Sequence, residues 1–545
     1  MANNPVKLPV APMIIYSKNA DINLGDIMFN KNQKTKQEKT NSNKEKNEKT
    51  SNEVLKKSLE YNINLFSEIF ANDETLIIRR FQNKVLKSAK CCVLYFDGMV
   101  KTEIINENII KPILSNDLSM NILEENLLEE LQYKVIVSND VKTEINISRM
   151  NDAAIYGDTI FLLEGYEKAL IINTKGWQTR TITEPESEKI IRGPREGFTE
   201  SIMMNISMVR RKIKSTDLKF KFKDIGVRTR TKTCICYIEG IVAPNILTEL
   251  ERRLDEINID GILDSGYIQE LIRDAPFSPF ETVGYSEKPD VIASKILEGR
   301  IAIIVDGSPV ALTVPFILAE ASQSSEDYYN NYIFGSFNRL LRTISAYFAI
   351  SIPAVYLSIV TYHQEMLPTP LLLSISASRQ GVPLPTALSM FIMLLIFDAL
   401  REAGTRMPTA IGQAVNIVGT LVLGQAAVEA KLVSAPVVIV TALTGILTLM
   451  NISLIGASIL SRFFLLLAAS VLGIYGFFLG SFLIILHVLS IRSFGVPYLL
   501  NISKVKNHNG QDTWIRAPWW SMTLRPKIIG AKNLVRQAAP KNRRR

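Results

Sequence analysis

Apolar residues are distributed unevenly along this chain of 545 residues, and their position predicts its architecture. The long apolar runs lie between Leu341 and Ser490, after a long polar half and before a short basic end. A helical span through a bilayer needs about 20 apolar residues, and several runs in this stretch are of that kind. The pattern predicts an all-α multi-span membrane domain over residues 321–492, which follows a soluble region.

Five segments of the membrane domain are candidate spans. They are Leu341–Val360, Leu384–Leu400, Thr409–Val428, Ala435–Ile455 and Phe463–Ile491. Residues 1–17 lack the features of a signal peptide, and the end of the chain (493–545) is basic, which is typical of the cytoplasmic side of a membrane. Both ends are therefore expected in the cytoplasm, which an odd number of spans does not allow.

Two arrangements restore an even number of spans, and the sequence leaves both open. Four spans result if Thr409–Val428, the least apolar segment, re-enters from the cytoplasm instead of crossing. Arg379 and Arg462 then lie outside. The basic residues expected inside are Arg339, Arg342, Arg401, Arg406, Lys431 and Arg492. Six spans result if the last run is split near its glycines, although each half is then short for a span.

The polar half begins with a segment that the sequence predicts to be disordered. Lys31–Ser58 consists almost wholly of Lys, Glu, Asn, Gln, Ser and Thr, and such a composition cannot bury enough apolar surface to fold. Residues 1–72 are therefore expected to form a disordered polar arm, with folding beginning near Asp73. Much of the net charge of +9 lies in the basic end, which can contact anionic membrane lipid; no motif indicates nucleic-acid binding.

The soluble region contains a hidden repeat of apolar runs that each carry an acidic-Gly turn. The runs are Cys92–Val100, Phe161–Ile172, Cys236–Val242 and Ile301–Val314. In the first pair of runs Asp97 precedes Glu164 by 67 positions, and in the second pair Glu239 precedes Asp306 by the same 67. These marks predict two tandem α/β subdomains, over 73–190 and 191–320. They also indicate that the last of the four runs is a β-hairpin and not a membrane span.

Polar stripes in the membrane domain are the first candidates for a functional site. Thr409, Gln413, Asn416 and Thr420 recur at helical spacing on one face. A second stripe consists of Thr441, Thr444, Thr448 and Asn451. Polar groups at membrane depth need partners or water, so a stripe either lines an ion path or bonds to neighbouring helices. The first stripe is the candidate ion path.

A charged cluster marks the predicted membrane boundary. It consists of Asp398, Arg401, Glu402 and Arg406. Ionisable groups at membrane edges mark ion paths and gates, so these residues are a candidate gate. The alternative is simple neutralisation of charges four residues apart on one helix.

A face of small residues follows in the last apolar run. Ala469, Gly473, Gly476 and Gly480 share one side of the predicted helix. Small residues let helices approach closely, so this face is a candidate packing surface, either within one chain or between chains.

No combination of residues in the sequence indicates catalysis. The four cysteines lack CxxC spacing and are expected to be reduced thiols in the core. The three histidines do not form a cluster. The chain is therefore predicted not to be an enzyme and to hold no cofactor and no metal ion.

Several longer motifs give the sequence a specific resemblance. They are GPREGFTE from Gly193, PFSPFETVGYSEKPD from Pro276, LEGRIAIIVDGSPVAL from Leu297, TYHQEMLPTPLL from Thr361, REAGTRMPTAIGQAVNIVGTLVLGQAAVEAKLVSAP from Arg401 and RAPWWSMTLRP from Arg516. In these motifs the chain resembles the A subunit of bacterial spore germinant receptors, the GerA family. The resemblance covers about Asp73 to Pro526.

The resemblance implies a function that composition alone does not indicate. It implies a protein of the spore inner membrane, with the soluble region and the basic end on the cytoplasmic (core) side. The implied partners are a transporter-like B subunit and a lipoprotein C subunit, and the A subunit itself is expected to form a homo-oligomer, for which a pentamer is one candidate count. Such an oligomer is expected to be a nutrient-gated ion channel. The alternatives are a secondary transporter and a non-conducting scaffold, and a relative acting at stage V of sporulation is not separated from the receptor subunit.

Overall fold

The structure is a computed structural model of the whole chain. It describes residues 54–84, 86, 89–115, 127–176, 188–406, 424–499, 512–526, 529 and 533–536. Two α/β units, here called the head, come first, and a bundle of helices follows them.

The first unit of the head is a five-stranded antiparallel sheet with helices on both faces. In chain order its elements are α1 (Leu59–Ile69), β1 (Leu76–Gln82), β2 (Lys90–Phe96), the helical stretch α2 (Thr102–Ile104, π-helical Ile105–Ile110 and Lys111–Ser115), the helical stretch α3 (Leu127–Glu130 and π-helical Leu131–Val135), β3 (Val141–Glu144), α4 (Ile147–Ile155), β4 (Thr159–Leu163) and β5 (Ala169–Ile172). The strand order is β1-β2-β4-β5-β3. Helices α1 and α4 pack on one face of the sheet, and α2 and α3 on the other.

The second unit repeats the first element by element. It consists of α5 (Ile202–Lys212), β6 (Leu218–Ile225), β7 (Thr231–Ile238), α6 (Pro244–Asp255), α7 (Ser265–Ile272), β8 (Gly284–Ser286), α8 (Pro289–Leu297), β9 (Ile301–Val305) and β10 (Ala311–Val314). Its strand order, β6-β7-β9-β10-β8, is that of the first sheet. The predicted repeat is therefore confirmed, and Ile301–Val314 is a hairpin that matches the one within Phe161–Ile172.

The acidic-Gly turns of the repeat have the same role in both units. The glycines at 98, 165, 240 and 307 all have positive φ, between 74° and 89°, which glycine adopts without steric cost. Glu164 accepts a hydrogen bond from the amide of Leu59 (3.0 Å), and Asp306 accepts one from the amide of Ile202 (3.1 Å). Each acid thus binds a free amide at the start of the first helix of its own unit.

The position of α1 corrects one prediction. The polar arm was expected to extend to residue 72, but Leu59–Ile69 is a helix, and the side chains of Leu59, Ile63 and Phe66 are buried against the first sheet. Ser58 caps this helix by accepting from the amide of Tyr61. This helix has few apolar residues, so the overall composition of the segment does not indicate a folded element. Those residues nevertheless recur on one helical face. Residues 1–53 lie outside the described residues.

The helical bundle follows the second unit. Its elements are α9 (Glu326–Tyr329), α10 (Tyr332–Tyr362), α11 (Thr369–Arg379), α12 (Thr386–Arg406), α13 (Gly424–Glu429), α14 (Ala435–Leu449) and α15 (Ile455–Ser490). Two helices of the described part are long and apolar enough to cross a membrane, namely α10 and the stretch Ile452–Ser490 that contains α15.

Helix α15 is a hairpin and not a straight rod. Gly473, at φ 61° and ψ −137°, interrupts its helical conformation. A Cβ placed on Gly480 would lie 2.7 Å from Cδ2 of Leu465, although these residues would be about 22 Å apart along a straight helix. Two arms, 455–472 and 474–490, therefore pack side by side. The last apolar run is split at a glycine, as one of the two sequence-based arrangements requires.

Gly473 should tolerate no side chain. A Cβ there would lie 2.9 Å from Cβ of Tyr362 at the end of α10, and φ is positive. Gly473→Ala is expected to reduce the free energy of unfolding by about 1–3 kcal/mol, because both the strained backbone and the contact oppose it. Thermal unfolding of the purified protein in detergent would measure the loss.

Gly456→Ala is the matched control for this prediction. Gly456 lies in the same helix, with no neighbouring atom within 4 Å of its Cβ position. Alanine there should leave stability unchanged or slightly higher. Equal losses for the two variants would show that the reversal at Gly473 does not need glycine.

The chain returns to the head after α15. The short strands β11 (Arg492–Ser493) and β12 (Val496–Pro497) form a turn whose Phe494 and Val496 are buried in the core of the second unit. The Ser493 hydroxyl donates to the carbonyl of Thr282 (2.6 Å). The part of the bundle that contacts the head is called the head end below. The opposite end, where Gly473 lies beside Tyr362, is called the far end.

Candidate functional site

An ion pair joins two helices inside the bundle. Asp398 of α12 accepts from Nη2 of Arg462 in the first arm of α15 at 2.6 Å, and the Arg462 side chain is only 1 % exposed. Nη1 of Arg462 also donates to the hydroxyl of Thr448 in α14 (3.3 Å). Arg401 approaches the other carboxylate oxygen of Asp398 at 3.3 Å. One carboxylate thus lies between two guanidinium groups, and three helices meet at this point.

Arg462 is the residue that sequence reasoning placed wrongly. It was expected in an external loop, before a span beginning at Phe463. The helix instead begins at Ile455, so Arg462 lies two turns inside it and pairs with a residue predicted at the opposite side. The sequence carried one signal for this pair: an arginine and an aspartate that lie in two apolar runs stabilise each other when the runs pack together.

The predicted charged cluster divides into two parts. Asp398 and Arg401, whose side chains are 18 % and 21 % exposed, belong to the group around the buried Arg462. Glu402 and Arg406 form a separate pair at 2.7 Å whose side chains are 57 % and 78 % exposed. In water such a pair contributes at most about 1 kcal/mol. Asp398 and its two arginines are therefore the part of the cluster that joins helices.

The second polar stripe lies inside the bundle. Thr441, Thr444 and Thr448 are buried, and each hydroxyl donates to a carbonyl three or four residues earlier in α14. The side-chain Nδ2 of Asn451 donates to the carbonyl of Arg342 in α10 (2.7 Å). Thr448 and Asn451 therefore connect α14 to other helices, while the other two hydroxyls are satisfied within α14. The first stripe, Thr409, Gln413, Asn416 and Thr420, lies outside the described residues.

The small-residue face lies within one chain. Ala469, Gly473, Gly476 and Gly480 are all buried. Gly476 packs against the carbonyl of Ala468 and Gly480 against Leu465, so this face of the second arm meets the first arm. The small side chains allow the two arms to lie close together.

Lys431 contradicts the predicted distribution of charges. It was expected on the opposite side from Arg379, yet its side chain lies beside Gly381, two residues after Arg379. Val433 and Val437 follow in the same cluster as Leu357, near the far end of α10. The four-span arrangement keeps both ends of the segment 409–428 at the head end, whereas Lys431 lies beside Gly381. That segment itself is mostly outside the described residues.

A second charged cluster, which the sequence did not indicate, joins the bundle to the head. Asp327 of α9 accepts from Arg339 of α10 (3.2 Å) and from Arg342, and Arg339 also reaches Asp512 (2.8 Å). Tyr328 donates to Asp512 at 2.6 Å. Burial raises the pKa of Tyr328 above its ordinary value, so it remains a neutral donor. These residues fix the start of α10 against the segment that returns from the bundle.

Neither a metal site nor a reactive thiol is found among the described residues. The structure shows no group of three His, Cys, Asp or Glu side chains that could hold a metal within the described ranges. The four cysteines are free and buried. Burial raises the pKa of Cys91 and of Cys92 to about 12, so both are unreactive thiols at neutral pH.

The fold and the site define a class of protein: a duplicated α/β head joined to a bundle of apolar helices with a buried ion pair. Comparison with known proteins identifies the family. The model of the family described as Bacillus/Clostridium GerA spore germination protein matches residues 64–528. The chain therefore belongs to the GerA family of spore germination proteins.

The chain is also similar to individual proteins. The chain is 37 % identical to spore germination protein KA of Bacillus subtilis (strain 168) over 89 % of each chain. It is 40 % identical to the uncharacterized membrane protein YfkQ of the same organism, over 88 % of this chain and 92 % of that one. Among solved structures, the chain is similar to the N-terminal domain of the A subunit of the Bacillus megaterium spore germinant receptor GerK3. The match covers 49 % of this chain and 98 % of that domain, with 31 % identity and a TM-score of 0.40.

Proposed function

We propose that this protein is the A subunit of a nutrient-responsive germinant receptor and forms an ion-conducting oligomer in the spore inner membrane. The observation that carries the proposal is the Asp398–Arg462 pair inside an apolar bundle. Ionisable side chains at membrane depth are expensive and are typical of ion paths and gates. A B subunit and a lipoprotein C subunit are the proposed partners, with the former binding the nutrient.

The proposed topology places the head and the end of the chain on the core side. Helix α10 leads from the head end to the far end, α12 leads back, and α14 ends beside Arg342 at the head end. The two arms of α15 add one passage in each direction. If residues 407–423 join the two ends, six passages result and both termini lie on one side.

Two other functions are less well supported. Secondary transporters place broken helices around a site near the middle of the membrane. Here the interruption at Gly473 lies at the far end, beside Tyr362. A non-conducting scaffold finds support in the Thr441 and Thr444 hydroxyls, which bond to carbonyls of their own helix. Ion flux therefore has to be measured directly.

Reconstitution tests the proposed function. Liposomes that contain this protein with its B and C subunits are expected to release entrapped ions when nutrient is added, and liposomes lacking this protein should remain closed. An assembled complex that binds nutrient and stays closed to ions would contradict conduction. It would favour the scaffold.

A matched pair of variants extends this experiment to the first polar stripe. Asn416→Leu should reduce ion release, because it removes a donor and an acceptor and adds an apolar barrier where dewetting can close a pore. Ile417→Phe changes a residue on another side of the helix and should reduce ion release less.

A further inference from the structure

An apolar surface lies at the junction between the head and the bundle. It combines residues of the first turns of α10 with residues of the returning segment 512–526. These residues, here called the junction patch, are Ile333, Phe334, Phe337, Leu340, Leu341, Trp514, Ile515, Trp519 and Trp520, and each is between 42 % and 65 % exposed.

The returning segment is fixed in place, with its polar side inward. The ring of Trp520 packs against that of Tyr332 at 5.5 Å. The hydroxyl of Ser336 donates to the carbonyl of Arg516 (3.1 Å). Arg516 itself is 4 % exposed, while the three tryptophans and Ile515 are 42 % to 65 % exposed. This is the reverse of the usual arrangement at an aqueous surface, and it indicates that something apolar covers the patch.

With a hydrocarbon layer that begins at the far end, the lengths of the helices put most of this patch beyond the lipid tails. The 31 residues of α10 span about 46 Å, and the 18 residues of the first arm of α15 span about 27 Å. Both reach the far end, where Tyr362 lies beside Gly473. Helix α10 therefore extends about 20 Å further toward the head than the arms do.

The head occupies the space below the arms. Phe280 of the second unit shares a buried cluster with Leu454 and Val488 at the base of the arms. The Ser278 hydroxyl lies 2.9 Å from Nε2 of His487. A hydrocarbon layer about 30 Å thick that begins at the far end thus ends near this level. The first turns of α10 lie beyond it.

We infer that the junction patch is the contact surface between neighbouring copies of this chain. The inference rests on the proposed function, which requires an oligomer. Copies related by an axis along the membrane normal have their heads at the same height. Each copy can therefore cover the junction patch of its neighbour at a level that lipid tails do not reach. Nine side chains of this size, about half exposed, offer on the order of 1,000 Å², comparable to the roughly 800 Å² that one partner contributes to a stable interface. The only charged residue within 333–341 is Arg339, which is fully buried.

Photo-crosslinking in intact membranes tests this inference. The full chain is co-expressed with its partner subunits in two differently tagged forms, with p-benzoylphenylalanine at position 337 of one form. The expected product joins the two tagged copies. Adducts at this position only to lipid, only to another protein, or to nothing would overturn the inference.

Position 348 supplies the control for the crosslinking. Phe348 lies three helical turns after Phe337 on the same face of α10 and is also exposed. Phe348 lies about 21 Å from the end of α10 and thus at the level of the arms, so the probe there should label lipid and not a second copy. A copy-to-copy adduct at 348 with none at 337 would place the interface inside the membrane and refute the assignment.

A charge in the patch gives a second readout. Trp520→Glu should reduce the yield of the copy-to-copy adduct at 337 by about tenfold or more, because it would bury an unpaired carboxylate between copies. Trp520 is half exposed in one chain, so each copy should remain folded, which protease resistance can verify. An unchanged yield would contradict the interface. Copies that crosslink but conduct no ions would refute only the proposed channel, and conduction without the adduct would refute only this interface.

Discussion

Asp398→Leu is expected to cause the largest loss of stability in the bundle. The substitution leaves the Arg462 guanidinium without its carboxylate in a site that is 1 % exposed. Removing one partner of a buried ion pair costs about 3–5 kcal/mol. Arg401, 3.3 Å from the same carboxylate, would add repulsion. Thermal unfolding of the purified protein in lipid nanodiscs should show the loss as a much lower melting temperature.

Two further variants separate stability from conduction. The double change Asp398→Leu with Arg462→Met replaces the pair by apolar side chains and should recover most of the lost stability. If the pair belongs to the ion path, this folded variant will still show altered ion release. Glu402→Leu removes an exposed charge of the same helix and should change stability by less than about 1 kcal/mol. A single Asp398→Leu variant as stable as the wild type would show that Arg462 does not depend on the pair.

Arg210→Met is expected to weaken the contact between the two units of the head. Nη2 of Arg210 donates to Asp73 (2.6 Å) and to Thr75 (2.8 Å), and neither ion-pair partner is more than 1 % exposed. The guanidinium also lies over the rings of Phe96 in the first unit and Phe220 in the second, 4.1 and 4.7 Å from their centroids. Methionine removes the charge and leaves the Asp73 carboxylate buried, at a cost of about 3–5 kcal/mol.

The measurement is hydrogen exchange on the full-length protein. Amides of the first unit should exchange faster in Arg210→Met, because that unit loses its buried ion pair with the second unit and keeps the hydrogen bonds of Ile69 and Glu74 to β6. Arg211→Met is the control, since Arg211 pairs with the partly exposed Glu196 and should cost less than about 1 kcal/mol. Similar exchange in both variants would mean that the two units are held together by other contacts.

The repeat shows how far sequence patterns predict this fold. Strands and turns of the head depend on neighbours in sequence, so apolar runs with Asp-Gly or Glu-Gly turns predicted both hairpins correctly. The spacing did not indicate that the acids of the later turns bind the amides of Leu59 and Ile202, more than 100 positions earlier in the chain. One of these contacts holds the start of α1, a helix that the polar composition of its segment had assigned to the disordered arm.

The candidate site was predicted only in part, for a related reason. Asp398 and Arg401 were recognised because charges stand out in apolar runs. Arg462 was assigned to a loop, because the start of a helix within a long apolar run carries little local signal. Its partner Asp398 is 64 positions away in the chain, and the two side chains meet only because α12 packs against α15.

By itself, the sequence determined the division into a polar α/β head and an apolar helical region, the duplication within the head, and membership of the GerA family. Local periodicity, turn chemistry and family motifs are sufficient for these features. The tertiary structure alone decided that α15 is a hairpin, that Lys431 and Gly381 lie together, and that the segment after α15 returns to the head. Each of these depends on contacts between residues far apart in the chain. Such contacts follow from how whole elements pack, and no local pattern of hydrophobicity or charge encodes them.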